Sequence, residues 1–143
     1  MKVKDVLASK EIGGVETIGP QETVGQLVTT LREKRIGAMV VVEGADRLVG
    51  IISERDVIRA LAEEGHVCLS STVSKYMTAD VMTTAPTEDL LVVLGRMTQG
   101  RFRHMPVVDG GRLAGVVSIG DVVAARLREL QRENEALAEF IRG

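Results

Sequence analysis

Two stretches of this sequence carry residues whose types and spacing suit chemistry: Gly50-Ile51-Ile52-Ser53-Glu54-Arg55-Asp56 and Gly115-Val116-Val117-Ser118-Ile119-Gly120-Asp121. In each, a hydroxyl is followed by a carboxylate three positions on. Ser-x-x-Asp has the spacing of a helix capping box, with the serine as cap and the acid turning back one turn later. A helix N-terminus also presents unpaired N–H groups and a partial positive charge, so the same junction suits an anion such as a phosphate. Either use accounts for one copy; the second copy is what makes binding worth weighing. Nucleophilic catalysis fits poorly, because no histidine stands in both copies to activate the serine. The two histidines and single cysteine make no convincing metal site.

The elements that must position these residues follow from hydrophobic periodicity. Val3 to Leu7 is a short apolar-periodic lead-in, followed by polar Ser9-Lys10-Glu11 and a flexible Gly13-Gly14 pair. Val15 to Ile18 reads as a brief strand ended by Gly19-Pro20. Val24, Leu27, Val28 and Leu31 then form one apolar face of a helix that ends in Arg32 to Arg35. Ala38 to Val42 and Leu48 to Ile52 read as two strands joined by a Gly44-Ala45-Asp46 turn. A helix follows Ser53 and stops at Gly65. In each heptapeptide the glycine permits a close backbone approach and the β-branched pair fills a strand.

The order then repeats. Val73 to Met77 is the lead-in, Val81 to Thr84 the short strand, and Leu90, Val93, Leu94 and Met97 the helical stripe. Met105 to Val108 and Leu113 to Val117 are the strand pair. Pro20 and Pro86 are 66 residues apart, as are Val42 and Val108, whereas Asp56 and Asp121 are 65 apart. One deletion in the hairpin turn explains the change, since turns are where lengths vary. The expected boundaries are a first repeat over 1–65, a connector over 66–72, a second repeat over 73–127 and a helical extension over 128–143. Repeats of roughly 60 residues are too small to bury both faces of their sheets alone. The fold class is therefore α/β: two pseudo-twofold-related β-α-β-β-α repeats packed on each other, plus an extended C-terminal helix.

Composition narrows the partners. The chain is 45% hydrophobic and 27% charged with a net charge of −2, an ordinary balance for a folded domain and no electrostatic footprint for nucleic acid. Tyr76, Phe102 and Phe140 are its aromatics, too few for a base-stacking platform, so a bound ring must be gripped by aliphatic side chains. No stretch reads as a membrane span or a signal peptide, and a cytoplasmic location with no membrane partner is expected. Cys68 alone excludes an intrachain disulfide and reads as packing.

The paired G-h-h-S-x-x-D heptapeptides, the Arg-x-x-x-Met strand entry (Arg35 to Met39, Arg101 to Met105) and the repeated register resemble a tandem CBS-domain protein, or Bateman module, of the free-standing bacterial type. The resemblance covers about residues 1–127, and the repeat of the whole register makes it more specific than either heptapeptide. It implies adenine-nucleotide or adenosyl ligands held in two clefts shared by the repeats. Carried over, the first cleft takes Ile51, Ser53, Arg55 and Asp56 with Val81, Arg103, His104 and Met105. The second takes Val116, Ser118 and Asp121 with Val15, Gly37, Ala38 and Met39.

Physical chemistry is compatible with these implied roles. A carboxylate accepts two hydrogen bonds from a ribose diol, a helix N-terminus faces phosphate, and aliphatic residues sandwich a purine. The copies differ: Arg55, Arg103 and His104 correspond to Gly120, Gly37 and Ala38, so the first cleft is expected to prefer the more phosphorylated ligand. The plainer alternatives are solvated surface arginines, a polar edge histidine, and core packing for Met39 and Met105.

Beyond the repeats, Val123, Leu127, Leu130, Asn134, Leu137 and Ile141 are spaced four, three, four, three, four, a heptad seam with asparagine at an a position. It reads either as an aid to a homodimer or as one amphipathic helix lying back on its own domain. The combined expectation is a non-catalytic regulatory module for AMP, ADP, ATP or NAD, with S-adenosylmethionine also admitted, acting on a regulated protein that the sequence does not identify. The rival is a structural dimerisation adaptor whose clefts stay empty. Asp56 and Asp121 fall in separate clefts by the implied geometry, so they cannot divide acid and base roles.

Overall fold

The computed structural model describes residues 1–9 and 15–143; the Lys10-Glu11 and Gly13-Gly14 positions noted in the sequence lie outside the described residues. In chain order the elements are α1 (Val3–Ser9), β1 (Thr17–Ile18), α2 (Val24–Lys34), β2 (Ala38–Glu43), β3 (Arg47–Ser53), α3 (Glu54–Glu64), α4 (Val73–Tyr76), α5 (Leu90–Gly100), β4 (His104–Asp109), β5 (Arg112–Ser118) and α6 (Ile119–Arg142). A 3₁₀ turn over Gly65–Ser70 fills most of the connector and buries Cys68.

Two compact units result, and they cut across the sequence repeats. One holds residues 15–82 with the hairpin tip 109–114; the other holds 1–9, 83–108 and 115–143. The reason is an exchange of lead-in helices. At the start of α4, Val73 N–H donates to Glu22 O at 2.8 Å and Ser74 N–H to Pro20 O at 3.0 Å, both in the loop before α2. At the start of α1, Val3 N–H donates to Glu88 O and Lys4 N–H to Pro86 O, each at 2.9 Å, in the corresponding loop before α5. Each lead-in therefore completes the unit built from the other repeat's strands.

In the first unit β1 runs parallel to β2, and β2 pairs antiparallel with β3 from Ala38↔Ser53 to Glu43↔Arg47, with a register shift between Val41 and Val42. Apolar Val24, Leu27 and Leu31 of α2 are buried against Met39, Val41 and Ile52 of that sheet, as the period of the stripe requires. Thr23 caps α2 through a full capping box with Gln26. The helix ends at Arg35 in the left-handed region, φ 54°, and α5 ends the same way at Arg101, φ 56°.

The second unit packs Leu90, Val93 and Met97 of α5 against Met105, Val107 and Val117 of the β4–β5 pair, with Val3 and Val6 of α1 in the same core. Here the structure corrects one expectation. Val81 to Thr84 is not a strand; only Thr84 bridges to Val107, through Thr84 N–H to Pro106 O at 3.0 Å and Val108 N–H to Thr84 O at 2.8 Å. Pro106 stands where β2 has Val40, and it has no N–H with which to extend the ladder by the extra residue pair seen at Thr17↔Val40. Thr84 is buried and its hydroxyl donates to Glu88, which also pairs with Arg96 at 2.7 Å.

Candidate functional site

Both heptapeptides run out of a strand and into a helix. Ser53 closes β3 and caps α3; Ser118 closes β5 and caps α6. In the first copy Asp56 N–H donates to Ser53 Oγ at 3.4 Å, and Asp56 Oδ2 accepts from Ser53 N–H at 2.8 Å and from the Ser53 hydroxyl at 3.1 Å. In the second, Asp121 N–H donates to Ser118 Oγ at 3.1 Å and Ser118 N–H donates to Asp121 Oδ2 at 2.9 Å. The capping alternative read from the sequence is thus realised twice. It also settles what these serines do in the chain itself: the Ser53 hydroxyl donates and accepts within its own box, which is not the arrangement of an activated nucleophile.

The loop entering the preceding strand is tied to each helix start. Glu54 N–H donates to Gly37 O at 3.0 Å, and Ile119 N–H donates to Arg103 O at 2.8 Å. These bonds fix Gly37-Ala38 beside the Ser53 junction and Arg103-His104 beside the Ser118 junction. Ala38 is also the ladder partner of Ser53. On the other side of β3, Ile51 and Thr78 exchange both backbone hydrogen bonds, at 3.0 and 2.8 Å, three residues before Val81.

The sequence-derived residues divide between the units as follows. Val15, Gly37, Ala38, Met39, Ile51, Ser53, Arg55, Asp56 and Val81 belong to the first; Arg103, His104, Met105, Val116, Ser118 and Asp121 belong to the second. Arg55 and Arg103 are exposed, while Ser53, Asp56, Ser118, Asp121 and His104 are half-buried. Met39 and Met105 are buried in the two cores, so packing is the role the structure displays for them.

One residue was missed in the sequence. Arg59 Nη1 lies 3.7 Å from Asp56 Oδ1, the carboxylate oxygen that the capping box leaves to other partners. Its signal was the i, i+3 spacing on α3, and its counterpart in the second copy is Ala124. A separate groove of about 320 Å³ lies between α2 and α3, lined by Val28, Leu31, Arg32, Glu54, Val57 and Ile58. None of these six is among the ligand-binding residues carried over from the resemblance, although Glu54 at the start of α3 brings one edge of the groove to the first junction.

Among the described residues no group of three or more histidine, cysteine, aspartate or glutamate side chains could hold a metal. Among the described residues no helix is long and apolar enough to cross a membrane. What the junctions offer is a pair of helix N-termini, each with a serine and a carboxylate, the first with Arg59 beside its acid.

Comparison with known proteins agrees with this architecture. The profile of the CBS domain matches residues 3–63 and again 73–128. An uncharacterised 17.7 kDa protein of Acidianus ambivalens is 32% identical over 143 residues, covering 99% of this chain and 83% of its own length. The crystal structure of the CBS-domain containing protein ATU1752 from Agrobacterium tumefaciens superposes with a TM-score of 0.83 at 41% identity, over 88% of this chain and 99% of that one. The CBS domain protein PAE2072 from Pyrobaculum aerophilum, complexed with AMP, gives 0.73 at 25% identity over 85% and 89% of the two chains. The CBS domain pair of protein MJ0100, in complex with 5'-methylthioadenosine and S-adenosyl-L-methionine, gives 0.77 at 26% over 92% and 98%. The chain, with its two matched repeats and its paired strand-to-helix junctions, belongs to the CBS-domain family.

Proposed function

We propose that this protein is a non-catalytic regulatory module that binds adenosyl ligands at its two heptapeptide junctions and passes their occupancy to a partner protein. The observation that carries the reading is the duplicated junction itself: two helix N-termini, each with a serine and a carboxylate in the same relation. Asp56 and Asp121 take the ribose hydroxyls, the N-terminal ends of α3 and α6 face phosphate, Arg55 and Arg103 add cationic partners, and His104 adds a polar ring beside them. Ile51, Val81, Val15 and Val116 supply the aliphatic surroundings of the purine, and Met39 and Met105 pack in the cores of their units. Gly37 and Ala38 leave room and backbone N–H groups.

The ligands bound by the AMP and S-adenosylmethionine complexes of related CBS pairs support an adenosyl ligand as a class. Within that class the candidates are AMP, ADP, ATP, NAD and S-adenosylmethionine, which share the adenosine end. One observation favours the rival adaptor reading: Asp56 Oδ2 already accepts two hydrogen bonds from Ser53, so its carboxylate has a structural job without a ligand. The two readings part in a thermal-shift measurement. A ligand-binding module melts higher in the presence of at least one of the five compounds, in proportion to the logarithm of its concentration. An adaptor melts at one temperature throughout, and that result discards the proposal.

A further inference from the structure

Helix α6 carries two apolar faces, and its own unit uses only one of them. Val122 and Ala125 are fully buried in the core of the second unit. Glu129 continues that face by accepting from the Met1 ammonium at 2.6 Å. The second face, Val123, Leu127, Leu130, Leu137 and Ile141, is 39–76% exposed along a helix of 24 residues, about 36 Å of rise. Its spacing makes these residues, with Asn134, the a and d positions of a heptad, while Val122, Ala125 and Glu129 fall at c and f.

We propose that this seam pairs with the same helix of a second copy of the chain, parallel and in register. A helix lying back on its own domain would cover the a and d residues, whereas the fold already takes hold of c and f and leaves a and d open. Asn134 then selects the partner and its direction. In a parallel, in-register pair each a position meets itself, so the Asn134 amide donor finds the Asn134 acceptor of the other copy. In an antiparallel pair a meets d, which sets Asn134 against a leucine such as Leu130. A buried amide left unpaired in that way disfavours the antiparallel pair.

The flanking positions agree. In the parallel pair a g residue meets the e residue of the next heptad, which pairs Arg126 with Gln131 and Glu133 with Ala138; neither opposes like charges. Arg126 is in any case held by Glu129 and Glu133 of its own helix. The charged Arg128, Arg132, Glu135 and Glu139 fall at outward b and f positions. The seam is short for a self-sufficient coiled coil. It is not the only surface on offer: Ile58, the counterpart of Val123 on α3, is exposed beside the groove of Val28, Leu31 and Val57.

Sedimentation of the full chain over a range of concentrations tests the pairing. A reversible dimer is expected, and Leu137→Glu with Ile141→Glu is expected to raise its dissociation constant at least tenfold. Both residues are exposed in the single chain, so the compact units keep their circular dichroism. Glu135→Lys, on the outward face, is the control and leaves the constant unchanged. Direction is read from Ile141→Cys, which forms a crosslinked dimer on mild oxidation if the helices are parallel, the buried Cys68 taking no part. A monomeric wild type, a dimer indifferent to the two glutamates, or crosslinking of Val123→Cys to Ile141→Cys without self-crosslinking of either overturns the proposal.

Discussion

Gly50 lies so close to Thr78 that a Cβ built on it would stand 2.9 Å from the Thr78 carbonyl oxygen and 2.7 Å from the Met77 sulfur. The first glycine of the other heptapeptide, Gly115, would instead place its Cβ 2.7 Å from Cδ2 of Leu7. Both meet the exchanged lead-in, but one meets backbone and the other the end of a flexible side chain. Gly50→Ala is therefore expected to cost about 1–3 kcal/mol, because the Ile51–Thr78 bonds hold the opposing backbone in place. Gly115→Ala is expected to cost less than about 1 kcal/mol, since Leu7 can change rotamer. Urea denaturation of the two variants checks the order; equal losses would mean that the lead-in after α4 shifts as easily as a leucine.

The close approach at Gly50 was legible in the sequence, as were the strand–helix junctions, the stripes of α2 and α5 and the doubling of the whole register. Each rests on a local pattern that repeats. The identity of the approaching segment was not legible. Nothing in Val73–Tyr76 or Val3–Ser9 says which repeat's loop will accept its N–H groups, since the bonds go to carbonyls of Pro20, Glu22, Pro86 and Glu88 that any residue could supply. The short strand before α5 failed for a related reason. Val81 to Thr84 has the composition of a strand, but the partner's Pro106 decides how far it pairs. At the junctions, the spacing of serine and acid made the two capping boxes legible, whereas the approach of Arg59 to Asp56 depends on the course of a long side chain that spacing alone does not fix.

The two acids can be separated from the caps they form. Asp56→Asn and Asp121→Asn keep an oxygen that accepts from the serine N–H and remove the charge. Each variant is expected to retain stability within about 1 kcal/mol of wild type, since a full cap is worth about 0.5–2 kcal/mol. Each is also expected to lose roughly half of the AMP bound at saturation, and the double variant all of it, by calorimetric titration. Unchanged binding in the double variant would assign both acids to capping alone.

A pH dependence follows from the clamp between α3 and α4. The Tyr76 hydroxyl donates to Glu64 Oε2 at 2.5 Å and Lys75 Nζ approaches the same carboxylate at 3.0 Å. The tyrosine hydrogen bond, then the lysine bond, hold Glu64 below its ordinary value near 4.5. The same carboxylate raises Lys75 and Tyr76 above their ordinary values of 10.5 and 10.0. A lowered acid contributes stability above its unfolded value and loses it as pH falls through the folded one; a raised lysine or tyrosine loses its contribution as pH climbs. The contribution of the clamp is thus complete between about pH 4.5 and pH 10 and declines on both sides. Glu64→Gln is expected to flatten both limbs of a plot of melting temperature against pH. A variant whose acid limb matches wild type would place that limb elsewhere, with Glu129 as the next carboxylate to change.

The sharpest test of phosphate recognition is Arg103. Its carbonyl oxygen is committed to Ile119 N–H at 2.8 Å, so the backbone is anchored while the side chain is exposed. The equivalent position in the first repeat is Gly37, and His104 and Arg55 likewise correspond to Ala38 and Gly120. Arg55 lies in the first copy and Arg103 and His104 in the second, so the asymmetry is one of clefts: the implied sharing of residues gathers all three in the first and leaves their uncharged counterparts to the other. A guanidinium meets phosphate oxygens through paired N–H donors but has no such partner on an unphosphorylated adenosine. Charged hydrogen bonds of this kind are worth about 1.5–3 kcal/mol, so Arg103→Ala is expected to weaken ADP roughly tenfold or more and adenosine by less than about twofold. Raising the salt concentration should erode ADP binding in wild type more than in Arg103→Ala, because screening acts on the charge pair that the variant lacks. Calorimetric titration of both ligands at two salt concentrations measures the difference. Equal losses for ADP and adenosine would return Arg103 to the class of solvated surface arginines.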